Sequence, residues 1–117
     1  MTLQEVNPDP IYQGADTTIP FTITDASGAP VELVHHAATL IWVMYTPRSG
    51  VVFTKTNGAG LTASTTVTGS VTAELAYADT AELLPIDYDH MLAMVLANKY
   101  SVEAFGTITI LENVALL

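Results

Sequence analysis

Leu40-Ile41-Trp42-Val43-Met44-Tyr45 is apolar at every position, and so is Met91-Leu92-Ala93-Met94-Val95-Leu96. Successive side chains of a strand point to opposite faces. A strand with one face on a core and the other in water therefore alternates apolar with polar residues. These two segments do not alternate, so both of their faces need cover. A chain of 117 residues supplies one domain with one core. The second faces are left for another chain, or for a segment folded back as a lid.

Around these segments Thr, Val, Ile and Tyr recur in short runs punctuated by Gly, Pro, Asn and Asp, the pattern of an all-β chain. Residues 1–14 hold Pro8 and Pro10 without periodicity and read as an extended arm. A strand is expected at Thr17–Thr24, then an Asp25-to-Gly28 turn and a short return strand over Val31–Leu33. Ala38–Tyr45 pairs as a hairpin with Val51–Thr56 across Thr46-Pro47-Arg48-Ser49-Gly50. Asn57-Gly58-Ala59-Gly60 is a second turn, followed by strands at Leu61–Ser64 and Ser70–Leu75. Tyr77–Leu84 is the one expected helix, of one or two turns, with Asp79 as its cap and Pro85 as its stop. Tyr88–Leu96 and Tyr100–Leu111 are the last strands, and 113–117 is a tail. Seven or eight short strands with one helical turn predict an immunoglobulin-like antiparallel β-sandwich over residues 15–112.

Half of the residues are hydrophobic and only 13% are charged, against about 25% in a typical domain. Mean hydropathy is +0.39. Three basic residues against twelve acidic give a net charge of −9. Arg48, Lys55 and Lys99 are too few to replace the counterions of a polyanion, so neither nucleic acid nor an anionic membrane surface is an expected partner. No apolar run reaches the roughly 18 residues of a membrane span, and Met1-Thr2-Leu3-Gln4-Glu5 does not read as a secretory leader. Without cysteine, thiol chemistry and disulfides are excluded.

The runs FTITDASGAPVEL, WVMYTPRSGVVFTKT, VTAELAYADTAELLPIDYDHMLAMV and FGTITI together resemble the Ig-like domain of tailed-phage virion accessory proteins. That domain is similar to the N-terminal domain of upper-baseplate proteins and to small tail or capsid accessory proteins. The likeness rests on Asp25 to Gly28, Asp79-Thr80-Ala81, Leu84-Pro85 and Gly106 to Ile110, and spans about residues 16–111. Pro85-Ile86-Asp87 departs from the Pro-Gly common in that group. The resemblance implies a structural role in a virion, made in the host cytoplasm, with no catalytic residue or cofactor to carry over.

The residues themselves point away from catalysis. Asp87-Tyr88-Asp89-His90 is the densest polar cluster, and a carboxylate pair beside a histidine suits a hard cation or acid–base work. A solvated strand start, with His90 and Tyr88 on the other face, is the favoured reading. His35 and His36 point to opposite sides of an extended chain and cannot easily share a metal. No serine has a nucleophile-elbow context, and the glycines at 58 and 60 precede no helix that could receive a phosphate.

An interface remains. With Leu40, Trp42 and Met44 in the core, Ile41, Val43 and Tyr45 form a free stripe; the opposite register frees Trp42. On the second segment the alternatives are Met91, Ala93 and Val95, or Leu92, Met94 and Leu96. Ile41, Trp42, Val43, Tyr45, Met91, Met94 and Val95 are the candidate interface residues. The expected function is a non-enzymatic virion protein that forms a homo-oligomer, a trimer among the expected states, and docks on a phage capsid or tail protein. An unaccompanied acidic domain tilts the expectation towards capsid decoration over a tail or baseplate role. A carbohydrate- or host-surface-binding module is the alternative, with Tyr12, Tyr45, Tyr77, Tyr88 and Tyr100 as its aromatic supply.

Overall fold

Thr17-Thr18-Ile19-Pro20-Phe21-Thr22 alternates cleanly, with Ile19 and Phe21 buried and the residues around them exposed or half-buried. The same period-two pattern builds most of the molecule. The computed structural model describes residues 3–116; Met1, Thr2 and Leu117, the extremes of the expected arm and tail, lie outside the described residues.

The strands are β1 (Gln4–Glu5), β2 (Ile11–Tyr12), β3 (Thr17–Thr22), β4 (Thr39–Thr46), β5 (Gly50–Asn57), β6 (Gly60–Ala63), β7 (Ser70–Leu75), β8 (Asp87–Leu96) and β9 (Lys99–Leu111). One helical turn, α1 (Tyr77–Thr80), lies between β7 and β8, and a 3-10 turn (Val114–Leu116) follows β9. They form one curled sheet in the order β1-β9-β8-β4-β5-β6-β7-β3, with β2 also pairing β9. The Gln4 side-chain amide donates to the Thr22 carbonyl, so the two ends of the sheet meet.

The chain is mostly β, but the sheet is mixed where an antiparallel one was expected. β1 and β2 run parallel to β9, and β5 pairs in parallel with β6. The second case has a local cause. Gly58 and Gly60 adopt φ of 74° and 104°, which glycine tolerates at no steric cost. Asn57-Gly58-Ala59 makes a small loop after which the chain resumes its former direction. A hairpin does not form.

Other turns follow their chemistry. Asp25 Oδ1 accepts from the Ser27 hydroxyl at 2.6 Å and from the Ser27 and Ala29 amides at 2.9 and 3.0 Å. The Ser27 hydroxyl, then these amides, hold the Asp25 carboxyl below the usual carboxylate range. The expected strand at Val31–Leu33 shrinks to a Thr24–Pro30 bridge and the Val31 N–H···O=C Ile23 bond. In α1 the cap comes from inside the turn: Asp79 Oδ2 accepts the Ala76 N–H at 2.7 Å and Lys55 Nζ at 2.8 Å.

Trp42, Phe21, Ile19, Ile23, Leu40, Met44, Leu61, Leu75, Leu92, Met94, Ile108 and Ile110 are the large side chains sealed inside the curl. Phe21 meets Trp42 edge-on, with ring centroids 6.4 Å apart. Tyr88, also buried, donates its hydroxyl to the Leu84 carbonyl at 3.0 Å and ties the start of β8 to the corner after α1.

The arm is built into the sheet. Between β1 and β2, Val6 and Asn7 cross β9 at Gly106. A Cβ there would stand far inside van der Waals contact of the Val6 carbonyl oxygen and 2.6 Å from Asn7 Oδ1. Asn7 Oδ1 accepts the Thr107 N–H at 2.9 Å. At the other end Asn113 donates two hydrogen bonds of 3.0 Å to Gln13, from its backbone N–H to Oε1 and from its side-chain amide to the carbonyl, anchoring the tail to the arm. Gly106→Ala forces backbone apart at this crossing. We expect a loss of about 1–3 kcal/mol, read by urea denaturation, with increased proteolytic cutting in residues 3–10.

Candidate functional site

Strand parity decides which face of β4 and β8 is free. Leu40, Trp42, Met44 and Thr46 point inward and are buried, whereas Ile41, Val43 and Tyr45 point outward and are half-buried. On β8 His90 and Leu92 point inward, and Met91 and Val95 lie half-buried on the outer side. Met94 is turned inward opposite Leu40. Trp42 and Met94 therefore leave the candidate interface, since the core itself seals them at 0% and 1% exposure. Ile41, Val43, Tyr45, Met91 and Val95 remain.

Register brings these five together and adds neighbours. Residues directly opposite share a face, so Val43–Met91–Phe105 forms one row across β4, β8 and β9, and Ile41–Ala93–Val102 the next. Thr54 and Thr56 on β5 lie opposite Val43 and Ile41. Asp89 sits between Tyr45 and Thr107, and Glu5 lies opposite Phe105. The result is an apolar centre with a border of hydroxyls and carboxylates, the anatomy of a protein contact surface. Phe105 was not among the expected residues. Its alternation within Ala104-Phe105-Gly106-Thr107-Ile108 was the available signal, because Ile108 and Phe105 have opposite parity.

Neither the arm nor the 33–37 loop is placed as a strand over this face. The arm lines the β9 edge, and His35 and His36 are exposed in a turn in which Glu32 Oε1 accepts the His35 N–H.

The polar clusters separate on folding. Asp87 accepts from the Thr109 hydroxyl at 2.7 Å and is exposed, Asp89 lies on the outer face, and His90 is buried inside. Among the described residues no group of three or more His, Asp or Glu is placed to hold a metal ion, and no helix is long and apolar enough to cross a membrane. Tyr12, Tyr77 and Tyr100 are exposed, but on β2, α1 and the start of β9.

His90 has a different office. Trp42 Nε1–H donates to His90 Nδ1 at 3.1 Å, and His90 Nε2 lies 2.6 Å from the Val6 carbonyl oxygen. Indole only donates and a carbonyl only accepts, so the ring is the neutral Nε2–H tautomer. Burial holds its pKa below the usual histidine range, outweighing the Val6 bond and the Asp89 charge, which pull the other way. Sequence alone hid this role, since nothing local to Asp89-His90-Met91 names Trp42 or Val6 as partners.

Comparison with protein-family models and with characterised proteins finds no match.

The division into core and outer face is measurable. Trp42→Phe leaves Nδ1 buried without its donor and loses indole volume, an expected cost of about 2–4 kcal/mol. Met91→Gln on the outer face should cost less than about 1 kcal/mol. Both values are read from urea midpoints of the purified variants.

Proposed function

We propose that this protein is a non-enzymatic structural component of a phage virion. It associates with copies of itself and docks on the protein lattice of the particle through the outer face of β4, β8 and β9. The observation that carries the reading is the continuous apolar centre Ile41–Val43–Met91–Phe105 inside a polar border. Exposed apolar patches of this kind are uncommon on monomers and mark contact surfaces. Two anionic side chains at that border, Asp89 and Glu5, set its register against a partner and contribute little to its affinity.

An Ig-like sandwich is supported by the split of the curled sheet into β2/β1-β9-β8-β4-β5 and β6-β7-β3, joined by only two residue pairs between β5 and β6. A buried tryptophan on β4 and a tyrosine whose hydroxyl reaches back to backbone at the start of β8 are further features of such domains. These features support the likeness to the Ig-like virion domains at the level of fold only.

Capsid decoration is the role we favour. A protein that binds the assembled lattice and not free subunits stabilises the assembly by mass action. The acidic surface, with a net charge of −9, also suits the outside of a DNA-filled shell.

Light scattering over a dilution series tests the self-association. A trimer or larger closed ring is expected, and Val43→Lys with Met91→Glu should reduce it to monomer without lowering the thermal midpoint by more than a few degrees. A wild-type protein that is monomeric throughout overturns the oligomer. Unchanged binding of the double variant to capsids and to tails overturns the docking face. Saturation of one particle part and not the other separates the decoration role from the tail or baseplate role.

A further inference from the structure

The imidazole of His90 joins three parts of the molecule that the chain keeps far apart. Trp42 on β4 donates to one nitrogen, the Val6 carbonyl on the arm accepts from the other, and Phe21 on β3 lies with its ring centroid 6.0 Å away. Gly106 opposite His90 on β9 carries no side chain, and Val6 occupies that space. The arm is thus the backbone that covers Nε2 of a fully buried ring.

We propose that His90 is an acid-operated latch on the arm: protonation of its ring releases residues 3–7 from the sheet while β2 stays in place. A second proton can go only to Nδ1. That sets N–H against the Trp42 N–H, which has no lone pair to offer, and leaves a cation in the core. The Val6 carbonyl binds a cation more strongly than a neutral ring, so this one bond favours the closed arm. Burial and the donor conflict oppose it and prevail, in the direction already noted for the pKa. A charged ring then favours whichever state lets water reach it.

The arm is the cheapest cover to lift. It is held by the two pairs of β1, the Val6 N–H to the Phe105 carbonyl at 2.8 Å, Asn7 to Thr107, and Gln4 to Thr22. Every other cover is a strand of the core. Pro8-Asp9-Pro10 separates this segment from β2, where Ile11 is buried and Gln13 is tied to Leu111, Leu83 and Asn113. The pivot therefore lies between two independently held points.

The surrounding charges agree with this direction. From β3 the ring meets Phe21, from β4 Trp42 with Met44 opposite, from β9 Gly106, and from the arm Val6 and Asn7, none of which titrates. The charged neighbours are Asp89 on its own strand and Glu5 on the arm, which line one shallow depression with His90, Tyr45, Phe105 and Thr107. Both side chains are carboxylates, and among the described residues no lysine or arginine lines that depression.

Amide hydrogen exchange of the full chain at about pH 7.5 and about pH 5, corrected for intrinsic rates, tests the latch. Protection in residues 3–7 should fall on acidification by up to about thirty-fold, the limit for a group of ordinary pKa 6.5, while amides of β4 and β8 keep theirs. In His90→Gln, which offers a neutral donor and acceptor, arm protection should not change with pH. Arm protection independent of pH in the wild type, an equal fall in His90→Gln, or a parallel fall in β4 and β8 each overturns the proposal. Should the variant not fold, NMR titration of the wild type decides. The His90 ring and the Thr107 amide share one midpoint if the latch exists, and a ring that titrates while the Thr107 amide stays unmoved refutes it.

Discussion

A hydrogen-bonded row of three groups, the Trp42 indole, the His90 imidazole and the Val6 carbonyl, sets conditions that much of the molecule obeys. Each outer member can play only one part, donor or acceptor, so the ring between them has a single permitted tautomer. Satisfying it requires β4 and β8 in one register, a crossing arm at one height, and no side chain at Gly106. A slip of one residue would turn His90 outward and leave two buried polar groups unpartnered, each costing about 1–3 kcal/mol. The all-apolar stretches Leu40–Tyr45 of β4 and Met91–Leu96 of β8 need such a device, because apolar residues on both faces specify register poorly by themselves. Polar satisfaction does here what alternation does in β3.

Most strands were legible because their residues alternate or because turns bracket them. Ser70–Leu75 formed as read, and the Asp25 turn formed with the side-chain bonds its residues suggest. The helix came out shorter than Tyr77–Leu84, since after Thr80 the chain turns to deliver Tyr88 to its Leu84 bond. β1 and β2 could not be read as strands. Two residues each, broken by Pro8 and Pro10, carry no periodicity, and their parallel pairing with β9 joins residues about a hundred positions apart. The parallel step at Asn57–Gly60 escaped for the opposite reason, since its glycines read as a turn and the same φ values serve a loop that keeps direction. Of the interface, parity alone could not choose between Ile41-Val43-Tyr45 and the Trp42 side. Met94 was misplaced because it keeps the parity of His90 and Leu92 and faces the core with them, so grouping it with Met91 and Val95 mixed the two faces of β8.

The same composition that made the sequence unusual accounts for its surface. With charged residues at 13% and half the chain hydrophobic, one curled sheet has more apolar side chains than one interior can take. The surplus gathers on the outer face of β4, β8 and β9, where cross-strand rows make it continuous. Many of the polar residues serve borders and turns: Thr54 and Thr56, Asp89, Glu5, and the Asp25 and Asp79 carboxylates that tie down backbone.

Parallel pairing of the first strands with the last also gives the domain a mechanical character. Tension applied ahead of Gln4 and beyond Leu111 would draw β1 and β9 past each other along their length, because the two run in the same direction. Their hydrogen bonds lie across the line of pull and would be loaded together, in shear, where an antiparallel pair pulled from its open ends would peel one bond at a time. The Gln13–Asn113 clasp and the buried Ile11 sit in that same line. A domain tethered through both ends would resist stretching by the strength of this seam, and its rate of forced unfolding, more than its equilibrium stability, would govern how long it held.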